Sequence, residues 1–202
     1  MNGAQRIRAV LEGRSPDRVP VMLHNFLMAA REAGFTQRRF REDPGAIAES
    51  FIRAVETYGY DGVLVDVDTV VLAEALGVPV DHPEDLPARP AGAMLGSLAE
   101  ARGLAPADVG GHPRIQVWLE AVRRLAAHFR GEVYVRGNCD QAAFSLASMV
   151  RGPADWMMDL VDPANREDAH ALLRHCAEAS AAFLRLMAAT GADMVSNGDS
   201  PA

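Results

Sequence analysis

Residues 62–77 read G-V-L-V-D-V-D-T-V-V-L-A-E-A-L-G. The run 62–68 has the length and β-branched content of a buried strand, and 69–76 reads as a short helix closed by Gly77. Two carboxylates, Asp66 and Asp68, stand at the junction. Outward from this unit the same alternation repeats. On the N-terminal side, 19–23 (V-P-V-M-L) predicts a strand. Residues 44–58 predict a helix with Asp43 as N-cap, Pro44 at its first position, and Ile47, Phe51, Val55 and Tyr58 at helical spacing. On the C-terminal side, 113–130 is a strongly periodic helix and 132–137 a strand. Short helices are expected at 144–150 and 154–160, then a long helix at 163–190 and a last strand at 192–197. A helix at 5–12 precedes the turn residues Ser15-Pro16-Asp17, and the Pro- and Gly-rich stretch 78–113 leaves room for one helix near 94–102.

Strands joined by long helical crossovers are parallel βα units, and the crossovers are expected to be right-handed. The sequence stops just after the fourth strand, with no helix to cover it, whereas parallel sheets are buried by helices. A complete (β/α)8 barrel takes about 250 residues. The prediction is therefore an α/β fold, an incomplete (β/α)8 barrel of about the first four βα units, with 1–202 as one partial barrel domain. The alternative is a compact, doubly wound four-stranded sheet.

At 49% hydrophobic and 23% charged, the composition excludes a disordered chain. A net charge of −7 argues against a general nucleic-acid binder, though not against a small anion held in a local basic pocket. Cys139 and Cys176 cannot build a disulfide framework, and the N-terminus lacks a signal-peptide layout. The apolar stretch 70–80 is broken by Glu74 and falls short of the ~20 residues a membrane span needs. A cytoplasmic protein without membrane or nucleic-acid partners is the expectation.

Each strand hands over to polar residues: His24-Asn25, Asp66 and Asp68, Asn138-Cys139-Asp140, and Asn197, Asp199 and Ser200. The C-terminal edge of a parallel sheet is where ligands bind. Two residues apart on this strand, both carboxylates are expected on one face, about 6.6 Å apart along the chain. For Asp68 two readings stand: a group facing the ligand, or the N-cap of the following helix. The histidines form no metal motif, since His170 and His175 are five apart and no HExxH occurs. Arg38, Arg39 and Arg41 cluster in what reads as a surface loop.

Four segments resemble the uroporphyrinogen decarboxylase superfamily: R-I-R-A-V-L-E-G-R-S-P-D-R-V-P-V (6–21), V-D-V-D-T-V-V-L-A-E-A-L-G-V (65–78), F-S-L-A-S-M-V-R-G (144–152) and G-A-D-M-V-S-N-G-D-S (191–200). The resemblance implies a (β/α)8 barrel. It also implies either cofactor-free decarboxylation of a porphyrinogen or methyl transfer between a corrinoid protein and a thiol. It places Asp68 as the catalytic aspartate against the pyrrole nitrogens, and Ser200, with Asp199 beside it, after the fourth strand; together with Asn25 and Asp66 of the polar rim, these two are the expected substrate-binding residues. Asn25 and Ala29 stand where decarboxylases carry carboxylate-binding arginines, and Met149 stands where a tyrosine is expected. No cofactor is expected within this stretch. In the methyltransferase branch, zinc ligands and a corrinoid partner belong to the later half of the fold. The expected ligand is a tetrapyrrole, free or carried as a corrinoid by a protein. A homodimer, or a non-catalytic half-barrel that needs a partner chain, is what the uncovered fourth strand would allow.

Overall fold

Asn2 starts the first helix by a reciprocal cap. Its side chain accepts from Gln5 N at 2.8 Å while Gln5 Oε1 accepts from Asn2 N at 2.9 Å. The helix so begun is α1 (Gly3–Leu11) of the computed structural model, which describes residues 1–199. There follow β1 (Met22–Leu23), α2 (Phe26–Glu32), α3 (Gln37–Glu42), α4 (Pro44–Tyr58), β2 (Gly62–Val65) and α5 (Val71–Leu76). A small antiparallel hairpin, β3 (Val80–Asp81) and β4 (Arg89–Pro90), leads through a 3-10 turn at Leu98–Gly103 to α6 (Pro113–Phe129). The chain closes with β5 (Tyr134–Asn138), α7 (Ala143–Arg151), α8 (Pro153–Val161), α9 (Arg166–Ala188) and β6 (Met194–Ser196).

Strands β1, β2, β5 and β6 form one parallel sheet in that order, with Met22 opposite Gly62, Gly62 opposite Tyr134, and Arg136 opposite Met194. A doubly wound sheet reverses direction along its strand order; this one does not, so it is a stretch of barrel wall. One face carries Val63, Val65 and Val135 into the main core with Ile47, Phe51, Trp118, Leu119, Phe183 and Met187 from α4, α6 and α9. Helix α9 presses on β5 so closely that a Cβ on Gly137 would lie 2.6 Å from Met187 Sδ. The opposite, inner face alternates with it. Near the strand starts, Tyr134, Met22 and Met194 pack on Ala4 and Ile7 of α1, which plugs that end.

The plug is fastened by charge. Asp61, buried just before β2, accepts from Val21 N at 2.8 Å, Arg6 Nη1 at 3.0 Å, and Arg18 Nη1 and Nη2 at 2.7 and 2.8 Å. Burial alone would raise its pKa; the hydrogen bonds from Val21, Arg6 and Arg18 outweigh it and hold the carboxyl below its ordinary value. Arg8 pairs with Asp193, just before β6, in the same way. Much of the 6–21 segment therefore seals the N-terminal end of the wall, where a barrel keeps stability rather than chemistry.

Several expectations change. The first strand pairs only at Met22–Leu23, because Pro20 has no N–H to give and Val19 is left exposed. The second strand ends at Val65, where the Asp66 side chain takes the Val67 N–H. Arg38, Arg39 and Arg41 lie on helix α3, capped by Thr36, not in a loop. Arg41 is buried and donates to the carbonyls of Leu86 and Pro83, so it ties down the hairpin loop. The helix expected near 94–102 is the 3-10 turn, and residues 163–165 form another before α9.

Candidate active site at the strand ends

Above the α1 plug the inner face turns polar, and side chains from all four parallel strands join in one hydrogen-bonded chain. His24, just past β1, meets Asp66 Oδ2 through Nε2 at 2.8 Å. Asn138 at the end of β5 donates Nδ2 to the same oxygen at 3.0 Å, and Ser196 of β6 donates Oγ to Asn138 Oδ1 at 3.1 Å. Arg136 of β5 completes the chain by donating Nε to Ser196 Oγ at 2.9 Å. Period-two alternation explains the layering: on β5, Tyr134, Arg136 and Asn138 share the inner face while Val135 and Gly137 face the helices.

Asp66 is fully buried, whereas the His24 side chain is 50% exposed and stacks on Phe26 with ring centroids 5.0 Å apart. The hydrogen bond to Asp66 raises the His24 pKa above its ordinary value; partial burial and nearby Arg136 oppose this, and Asp140 assists it. The result is an accessible imidazole whose protonated form is favoured, its ring fixed by a buried carboxylate.

Asp68 lies elsewhere. Its Oδ1 accepts from Val70 N at 3.0 Å and Val71 N at 2.9 Å, capping α5, and its Oδ2 pairs with Arg114 of α6. Arg114 also binds Glu74 Oε2 at 2.6 Å, and Glu74 Oε1 meets His82 Nε2 at 2.9 Å. The two aspartates therefore do not share a face as expected: hydrogen-bonded strand ends before them, so period-two spacing no longer applies. Asp199 accepts from Phe144 N at 3.1 Å and Ser145 N at 2.8 Å, capping α7, whose own N-cap residue is Ala142. Asn25 sits at the start of α2 without a side-chain cap bond, and its Nδ2 is buried with no partner among the described residues. Ser200 lies outside the described residues. Arg136 and Ser196 escaped sequence reading because they sit inside strands. A charged residue at an alternate position of the β-rich run 132–137 was the available signal.

The residues present do not fit zinc. Among the described residues no three of His, Cys, Asp or Glu gather as a metal site. Cys139 and Cys176 are fully buried, and burial pushes both thiols up, that of Cys176 to about 12. No described helix is long and apolar enough to cross a membrane.

A sequential parallel sheet, helices on one face and polar side chains gathered at the strand C-termini, defines part of an α/β barrel. The chain belongs to the uroporphyrinogen decarboxylase (URO-D) family, whose family model matches residues 2–202. Among solved structures it is similar to a methyltransferase from Methanosarcina mazei, with a TM-score of 0.85 at 22% sequence identity. That match covers 98% of this chain and 59% of the other, so the chain spans about three-fifths of the length of that structure. Comparison with curated proteins gives no match. The fold is thus a partial (β/α)8 barrel of the uroporphyrinogen decarboxylase type.

Proposed function

We propose that the chain supplies one side of the active-site mouth of a barrel enzyme that performs acid–base chemistry on a tetrapyrrole-type substrate, in the manner of a porphyrinogen decarboxylase. The observation that carries this reading is the His24–Asp66 pair, an accessible imidazole held through Nε2 at 2.8 Å by a buried carboxylate. Decarboxylation exchanges a carboxylate for a proton. Protonation makes a ring cationic, the electron pair of the breaking C–C bond is drawn into it, CO2 leaves, a proton takes its place on carbon, and the ring gives up the proton it had gained. His24 is suited to deliver a proton, and the Asp66 carboxylate stabilises nearby positive charge. Asp68, with both oxygens engaged, acts through structure: it fixes the turn into α5 and orients Arg114. Asp199 does the same for the start of α7.

Methyl transfer between a corrinoid and a thiol is the second reading, favoured by the fold neighbour that is a methyltransferase. The residues described do not supply its zinc, and no step is derived through that metal. The test runs both reactions anaerobically on the protein expressed from its gene. One arm holds uroporphyrinogen and is scored for porphyrinogens with fewer carboxylates. The other holds methylcobalamin with a thiol and is scored for demethylated corrinoid. Decarboxylated product that disappears in His24→Gln and Asp66→Asn supports the first reading. Activity in the corrinoid arm alone transfers the assignment to methyl transfer, and silence in both arms overturns the tetrapyrrole reading.

A further inference from the structure

Arg136 is a cation on the inner wall that no acid among the described residues pairs with. Its Nε is held by Ser196 Oγ at 2.9 Å, and it makes no ion pair and no other hydrogen bond among the described residues. The comparison with other arginines is informative. Arg6, Arg114 and Arg151 are partly buried and each pairs with carboxylates, while buried Arg41 donates to two backbone carbonyls. Arg31, Arg130, Arg166, Arg174 and Arg185 lack such partners but are exposed to solvent. Arg136 alone combines partial burial, a strand position facing the barrel interior and an idle pair of terminal amino groups.

A guanidinium kept in such a wall without a partner is costly, and the cost is recovered when an anion arrives. With Nε fixed on Ser196, the edge formed by Nη1 and Nη2 is left for a planar, two-oxygen acceptor, the geometry that a carboxylate matches in bidentate fashion. The hydrogen-bonded chain from Arg136 through Ser196, Asn138 and Asp66 to His24 sets this cation and the proton-carrying imidazole along one wall. We infer that Arg136 is a ligand-anchoring residue that binds a carboxylate group of the substrate beside the His24–Asp66 pair. The inference rests on reading this wall as a substrate site and adds to it the charge of the ligand and the residue that takes it. It also supplies a carboxylate contact in a chain that has Asn25 and Ala29 after β1.

The experiment is calorimetric binding of two probes, succinate and uroporphyrin, to the wild type, Arg136→Gln and Arg136→Lys. Loss of a charge-assisted bidentate contact should weaken succinate by about ten- to a hundredfold in Arg136→Gln. Arg136→Lys should recover only part, because an ammonium offers a point charge and not a fork. Wild-type binding should also weaken with added salt. Equal affinities for wild type and Arg136→Gln, or no succinate binding by the wild type, overturn the proposal. Uroporphyrin bound equally by Arg136→Gln removes the carboxylate subsite and leaves the tetrapyrrole reading intact. Succinate binding that depends on Arg136, in a protein that ignores uroporphyrin, does the reverse. Should Arg136→Gln fail to fold, Ser196→Ala releases Nε and should weaken succinate by about two- to fivefold, a fraction of one hydrogen bond. Unchanged affinity in that variant counts against the proposal.

Discussion

Asp66→Asn changes one atom's hydrogen-bonding sense at a buried position, and its consequences can be worked out bond by bond. Asp66 Oδ1 accepts from Val67 N at 2.8 Å, while Oδ2 takes His24 Nε2 at 2.8 Å and Asn138 Nδ2 at 3.0 Å. An amide that keeps its oxygen under Val67 N turns its NH2 toward Asn138 Nδ2, a donor, and toward His24 Nε2, which can accept from it only when the imidazole is neutral. Each lost bond costs about 1 kcal/mol or somewhat more, and the His24 bond is discounted because that side chain is half exposed. A loss of about 2 kcal/mol follows, or about 4–8 °C in Tm for a chain of this size. His24 itself should change direction. Its raised pKa depends first on the bond to Asp66, so without the carboxylate burial and Arg136 dominate and the pKa falls below the ordinary ~6.5.

The pH dependence of stability gives an independent sign. In the wild type the folded pKa of His24 exceeds the unfolded one. Its contribution is therefore fully present below pH ~6.5 and is lost as pH rises through the folded value. The stability gap between wild type and Asp66→Asn should thus be widest near pH ~5.5 and narrower at pH ~8. Imidazole proton shifts followed by NMR give the midpoint, and urea unfolding at the two pH values gives the gap. An unmoved His24 midpoint, or an equal gap at both pH values, refutes the argument that Asp66 sets the protonation of His24.

Three further outcomes are expected from parts of the wall outside the site. Asp61→Asn should cost about 3 kcal/mol in urea unfolding, the low end for a broken buried ion pair because half-exposed Arg18 can return to water. Asp61 is held below its ordinary pKa, so the stability it contributes is present above pH ~3.9 and should be lost as pH falls through the lower folded value; replacing it should flatten the acid limb of the stability profile. Gly137→Ala should cost about 1–3 kcal/mol, since its new methyl meets Met187 Sδ at 2.6 Å; an unchanged midpoint would mean that α9 sits farther from β5. Among the described residues β1 and β6 each pair on one side only, so a protein of residues 1–202 should self-associate in sedimentation velocity, and a monomer at every concentration would contradict this.

The elements legible in the sequence were those whose local chemistry and burial agree. Helix α4 begins at Pro44 under an Asp43 cap and ends before Gly59 in the left-handed region, and its bounds are those the apolar spacing predicts. Helix α6 is similar, with Ile115, Trp118, Leu119, Val122, Leu125 and Phe129 all buried. The hairpin β3–β4 was invisible because its strands have two residues each and are held from outside, by Arg41 and Arg38 of α3 reaching the 82–86 loop. Helix α3 was hidden by the same residues: three arginines in six positions look solvated until one of them is found buried against carbonyls.

The limit of sequence reading is clearest in the pair Asp66 and Asp68. Both are acidic, both follow β2, and both are buried, so neither composition nor burial separates them. The deciding fact is which neighbours arrive from distant parts of the chain. Asp66 meets His24 and Asn138, which come from the ends of the two strands flanking β2, so its charge is felt across the mouth. Asp68 meets Arg114 of α6 and the first N–H groups of α5, so its charge is neutralised within the helix layer. A carboxylate already balanced by a guanidinium and a helix start has little field to offer a ligand. One balanced by an imidazole that can lose its proton has a field that changes with the reaction. On the proposed reading, that difference, set by long-range partners 42 and 46 positions away along the chain, favours Asp66 over Asp68 for acid–base work.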